Sequence, residues 1–190
     1  YGGLADLYEK QGRYKSEVNR VSRYARVVTL YAPSERPALN GNDEETLDAT
    51  PDEELDEESV ETAPIDEDEW KETIRGVDSA SIRRAISRIE ETYVEPVDYR
   101  DVLLGALEGV RVLADTPKLA VAFPGMGNEK LRADFLSRID ELIKEARTKD
   151  DVTHFVVGRY LWRVLQANWK TVKIPDEVID VEFADGMTER

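Results

Sequence analysis

Residues 93–110 read YVEPVDYRDVLLGALEGV, and the fold turns on how this stretch is read. Pro96 has no amide hydrogen and its ring crowds the preceding turn, so a helix arriving through Tyr93 must end before it. Asp98 then stands at an N-cap, where its side-chain oxygen can accept from the open amides of the next turn. From there Leu103, Leu104, Leu107 and Val110 recur at helical spacing and form one apolar stripe. Gly105, Ala106 and Gly109 make a second stripe of small side chains, which lets another helix approach closely. Each glycine costs about 1 kcal/mol in helix propensity. These three are candidate helix-packing or assembly positions. A helix with two such stripes needs more neighbours than one following helix can supply.

The flanking sequence offers those neighbours. Upstream, Ile82, Ile86, Ile89 and Tyr93 repeat at helical spacing behind Ser79 or Ser81, either of which is suited to cap. Downstream, Pro117, Pro124, Gly125 and Gly127 mark a loop. Asn128 is placed to cap a helix carrying Leu131, Phe135, Ile139, Leu142 and Ala146. Asp150 or Asp151 is expected to start a fourth helix, with Val152, Val156, Tyr160, Val164 and Trp169 among its apolar positions. The Phe135 helix and the helix bearing Trp162 and Trp169 are expected to cover the central one. Pro175 breaks the chain, and a short fifth element starts near Asp176. No strand-like alternation persists long enough to build a sheet. Residues 70–190 therefore read as an all-α bundle of about four to five helices.

Charge divides the 190-residue chain. Its formal net charge is −15, from 41 acidic and 26 basic residues. Fifteen of the acidic residues fall between Asp43 and Glu69, with no Lys or Arg among them, so the remainder is neutral. That segment has few aliphatic side chains and no aromatic ones, and cannot bury enough apolar surface to offset its ordering entropy. Residues 37–69 are accordingly expected to be a disordered linker. It reads as a solvated spacer or as an acidic lure for a basic partner. Calcium ligation is disfavoured because the Asp-x-Asp-x-Asp-Gly spacing does not occur.

Ahead of the linker, residues 1–36 read as a helical hairpin. Tyr1, Leu4, Ala5 and Tyr8, with a turn at Gly12 and Tyr14, resemble a tetratricopeptide repeat. The second helix departs from that pattern at Glu17 and Tyr24, and Pro33 arrives about a turn late. One repeat cannot bury its own face. Tyr24, Val28 and Tyr31 lie across the acidic tether without evident cover, so they are candidate assembly residues and predict a homodimer.

The opening stretch also carries a family resemblance. ETYVEPVDYRDVLLGALEGV resembles the region just before the PDZ domain of carboxy-terminal processing peptidases, the S41 serine peptidases. The match covers residues 82–113, and more loosely 119–187, where TVKIPDEVIDVEFADGM is similar to the lead-in to the protease body. The resemblance implies a non-catalytic N-terminal segment serving assembly or the engagement of a partner or polypeptide substrate. It also implies a Ser/Lys pair beyond Arg190 in the parent protein, and a periplasmic or secreted setting. The alternative is a free-standing helical adaptor with a tetratricopeptide-like binding module.

The residues themselves offer no catalytic set. Ser79 and Ser81 sit at a helix start, and Ser16, Ser22, Ser87 and Ser137 lie on amphipathic helices with no Lys or His placed to activate them. His154 is the single histidine and cannot hold a metal alone. No cysteine is present, which excludes disulfides and thiolate metal sites. No phosphate-binding glycine loop follows a strand, so no cofactor is expected. A basic face for nucleic acid is missing, and no apolar run is long enough to span a bilayer. The start at Tyr1, without a basic-then-apolar leader, reads as a cut or processed form.

Overall fold

The computed structural model describes residues 2–35, 69–92 and 97–188; along 2–10, 12–14, 16 and 89–92 it describes the backbone path alone. Most of the acidic segment therefore lies outside the described residues. Seven α-helices stand among those described: α1 (Gly2–Tyr31), α2 (Glu69–Thr73), α3 (Ser79–Thr92), α4 (Tyr99–Ala114), α5 (Glu129–Thr148), α6 (His154–Lys170) and α7 (Asp176–Thr188). Short 3-10 turns at Pro33–Glu35, Pro117–Ala120 and Pro124–Gly127 complete the set. The described residues contain no strand, and the fold is all-α.

The helix read from the opening stretch is the axis of the bundle. Asp98 caps it, accepting from the amide of Arg100 at 2.8 Å, and both stripes of α4 are buried. α7 packs most closely, followed by α5, with α1 and α6 on the remaining sides. The small stripe explains the closeness of α7. A Cβ on Gly109 would overlap the carbonyl oxygen of Glu182, and one on Gly186 would overlap that of Gly105 and crowd Ala106. The two backbones therefore cross in mutual contact.

Two expected caps move. Asp78, not Ser79 or Ser81, closes the start of α3 by accepting from the Ser81 amide at 2.6 Å. Its carboxylate needs no proton, so it is the stronger acceptor there. The fourth helix starts at His154 rather than at Asp150 or Asp151, because Asp151 adopts a left-handed φ of 51° and turns the chain before the helix begins. Asn128 does cap α5, accepting from the Leu131 amide at 3.2 Å.

The N-terminal segment is not a hairpin. α1 runs without interruption through Gly12 and Tyr14, about 45 Å at 1.5 Å per residue. A single glycine among helix formers costs only about 1 kcal/mol, which one helix absorbs, and no proline occurs before Pro33. The apolar positions of its second half find cover on the bundle instead. Val27, Val28, Tyr31 and Ala32 are buried, with Tyr31 and Ala32 fully inaccessible. Tyr31, Trp70 and Phe123 meet as an aromatic trio with ring centroids 5.4 to 5.8 Å apart. The chain on either side of the acidic segment thus returns to one hydrophobic core.

Candidate interaction surface

Of the assembly candidates singled out in the sequence, all but Tyr24 are internal. Gly105, Ala106 and Gly109 are consumed by the crossing with α7. Val28 and Tyr31 are buried against the same bundle, and Tyr24 keeps 37% of its surface exposed. The expected need for a second copy to cover Val28 and Tyr31 therefore falls away; they dock within the chain.

That docking is polar as well as apolar. Arg23, itself buried, donates to the carbonyl oxygens of Gly105 at 3.3 Å and Gly186 at 3.5 Å. The Tyr31 hydroxyl donates to Glu182 at 2.8 Å. Arg26 pairs with Glu182 and, at 3.0 Å, with Asp185. Burial pushes the Glu182 carboxyl up, against the opposing pull of Arg26 and the Tyr31 hydroxyl. Burial also raises Tyr31, and the neighbouring Glu182 adds to the effect. A second link joins α3 to α7, where the Ser79 hydroxyl lies 2.7 to 2.8 Å from the two oxygens of Asp180. Burial lifts Asp180 to about 6, with Ser79 partly opposing. On α5 and α6 the Arg163 guanidinium bonds both oxygens of Glu145, at 2.8 and 2.7 Å. That contact, helped by the Tyr160 hydroxyl, lowers Glu145 to about 2.

These contacts occupy the groups from which an active site would be assembled. Ser79 is held by Asp180, and Ser87 donates to the Arg84 carbonyl at 2.9 Å. His154 sits between rings, 3.9 Å from Phe155 and 6.2 Å from Tyr99 by centroid. Among the described residues no three His, Cys, Asp or Glu side chains gather as a metal site. None of the described helices is long and apolar enough to cross a membrane.

Among the described residues the most exposed aromatic rings are on α6. Its buried side chains are Val156, Val157, Tyr160, Leu161, Val164, Leu165 and Asn168. Phe155, Trp162 and Trp169, at i, i+7 and i+14, point away from that stripe and stay 75%, 45% and 42% exposed. The helix bearing Trp162 and Trp169 does pack on α4, as expected, but through its β-branched and leucine side chains; Trp169, expected among its apolar positions, and Trp162 form a ridge outside the core. The phase was legible in the spacing, since the three rings fall on the face opposite Val157 and Val164.

The ridge is preorganised. Trp162 and Trp169 meet edge to face at 5.1 Å, and the Trp169 indole nitrogen donates to Asp176 at 2.7 Å. Beside it a groove of about 680 Å³ runs between α3 and α6, lined by Ala80, Arg83 and Arg84 on one side and by Phe155, Arg159 and Trp162 on the other. Gly158 leaves room for the Arg83 stem, which lies where a Cβ would be in ordinary contact at 3.5 Å. Arg83, Arg84 and Arg159 are exposed. Arg84 donates to the Ser81 hydroxyl at 2.8 Å, next to the Asp78 carboxylate. Exposed aromatic rings beside exposed guanidinium groups are the composition of a protein-binding hot spot.

The chain matches no family model, no curated protein and no solved structure.

Proposed function

We propose that this chain is a non-catalytic helical module that binds polypeptide through the α3–α6 groove and the ridge beside it. In its parent protein it serves assembly or substrate engagement for a carboxy-terminal processing serine peptidase of the S41 kind. The observation that carries the binding role is the exposure of Phe155 and Trp162 beside three exposed arginines, Arg83, Arg84 and Arg159. Isolated surface apolar residues are commonplace, whereas a contiguous aromatic patch on a rigid helix is not. The peptidase assignment rests on the resemblance over residues 82–113. The second reading is a free-standing adaptor, favoured by a core in which α7 of the same chain already fills the small-residue notch.

Two measurements test the proposal. Binding of an unstructured polypeptide to the chain, followed by fluorescence anisotropy, should weaken at least tenfold in the Phe155→Ala/Trp162→Ala variant; equal affinity would refute the binding role. Reading the coding sequence past Arg190 separates the two contexts. A PDZ-like segment followed by a Ser/Lys body supports the peptidase, and a stop codon supports the adaptor.

Self-association stays part of the proposal through a different face from the one the sequence suggested. Val18 and Val21 on α1 are 44% and 59% exposed. They point away from Arg23 and Val27, and a second copy of the helix would cover them.

A further inference from the structure

We propose that α1 carries a self-recognition surface on which two copies of the chain pair as a short antiparallel coiled coil, the stretch from Leu4 to Val21 of one helix laid against the same stretch of the other. The inference rests on the self-association reading above and supplies its direction and register. Three observations carry it.

The first is the free face. α1 docks on the bundle through Arg23, Val27 and Tyr31, all buried. Val18 and Val21 stand on the opposite side and stay exposed. From Val21 back to Gly2 the backbone continues as one helix.

The second is period. Leu4, Leu7, Gln11, Tyr14, Val18 and Val21 recur at intervals of three, four, three, four and three. That alternation is the spacing of the a and d positions of a heptad, and on one helix it sets all six positions along a single stripe. A stripe so narrow is the seam of a coiled coil, since a helix facing a globular core carries a wider one.

The third is charge, which sets the direction. In an antiparallel pair the a position of one helix meets the d position of the other. Leu4 then falls opposite the partner's Val21, Leu7 opposite the partner's Val18 and Gln11 opposite the partner's Tyr14. The flanking Lys10 lies beside the partner's Glu17, and two-fold symmetry makes that contact twice. Glu17 also bonds Arg20 of its own helix at 3.0 Å, an exposed contact too weak to exclude a second cation. A parallel pair would instead set Lys10 beside the partner's Lys15, where like charges repel. The paired stretch stops short of Arg23, so the two bundles lie at its opposite ends.

The chain has no cysteine, so Ser22→Cys, at an exposed position beside the stripe, takes a single nitroxide. In the antiparallel dimer of the full chain the two labels stand about 30 Å apart at 1.5 Å per residue, a distance that pulsed dipolar spectroscopy reads. A separation below about 15 Å, little more than one helix diameter, means parallel helices and overturns the inference. Sedimentation equilibrium reads the affinity. The overlap spans about 27 Å of helix, at the small end of stable interfaces, so dissociation is expected in the micromolar range. Lys10→Glu sets acid beside the partner's Glu17, and Glu17→Lys sets lysine beside the partner's Lys10. Each should weaken the dimer about fivefold or more. Mixing the two variants, or joining both changes in one chain, should restore it, because every flanking pair is again of opposite charge. Tighter association of Lys10→Glu alone would report the parallel pair through Lys15 and sink the inference, as would indifference to both charge reversals. Failure here is distinguishable from failure of self-association through α1. If Val18→Glu/Val21→Glu dissolves the dimer while the labels sit close, self-association stands and its direction falls. A strict monomer, or a dimer that survives Val18→Glu/Val21→Glu, removes both.

Discussion

At the scale of single residues, the tightest constraint is the contact between Gly109 on α4 and Gly186 on α7. Alanine is the better helix former by about 1 kcal/mol, yet Gly109→Ala places a methyl on the Glu182 carbonyl oxygen. Backbone cannot yield as a side chain would. The variant is expected to lose about 1–3 kcal/mol in urea unfolding; a gain in stability would show that α7 can shift outward freely. Asp180 gives a prediction in pH. Its folded value of about 6 lies above the 3.8 of the unfolded chain. The folded state therefore holds the proton more tightly, so this group favours folding below about pH 4. That stability is lost as pH rises through 6, where the carboxyl must ionise while buried. The difference is on the order of 2–3 kcal/mol. Asp180→Asn keeps an acceptor for Ser79 and no longer titrates. Its stability relative to the parent chain should therefore rise between pH 4 and pH 8, and a difference that stays flat across that range would contradict the assignment.

At the scale of elements, α1 is attached by a buried ionic seam as much as by apolar packing. Glu182 is 1% exposed and is held by Arg26 and Tyr31. Removing one partner strands a buried charge, so Arg26→Met is expected to cost about 3 kcal/mol, within the 3–5 kcal/mol typical of such losses. Arg26→Met/Glu182→Met should recover at least half of it, because the desolvated charge has gone too. Hydrogen exchange at residues 23–31 reports the same event locally. If the single variant leaves those amides protected, the aromatic trio alone holds the helix.

At the scale of the whole molecule, the core and the outer ridge of α6 should separate in experiment. Phe155 and Trp162 are too exposed to carry the fold. Phe155→Ala/Trp162→Ala is accordingly expected to change unfolding free energy by less than about 1 kcal/mol while lowering polypeptide affinity tenfold or more. A large loss of stability would place the rings in the core. Light scattering should detect a dimer at micromolar concentration that Val18→Glu/Val21→Glu returns to monomer. A chain already monomeric would remove self-association through α1.

The sequence by itself determined the helical class, the axis of the bundle and its breaks. Asp98, Asn128 and Pro175 act through local backbone chemistry that no partner can override, and the stripes of α4 and α5 state which faces need cover; Pro96 lies outside the described residues. It also determined that the net charge is confined to one segment. Tertiary structure alone decided what each stripe meets. The small residues of α4 could have received a second copy as well as α7, because a glycine notch encodes closeness and not identity. A helix through Gly12 and a turn at Gly12 differ locally by about 1 kcal/mol, less than the burial of Tyr31 against Trp70 and Phe123 contributes. Asp78 displaced the serines as the α3 cap because Ser79 was drawn to Asp180, 101 residues further along the chain. Phe155, Trp162 and Trp169 are apolar in sequence wherever they sit; only the packing of Val157, Leu161 and Val164 on the opposite face leaves them outside.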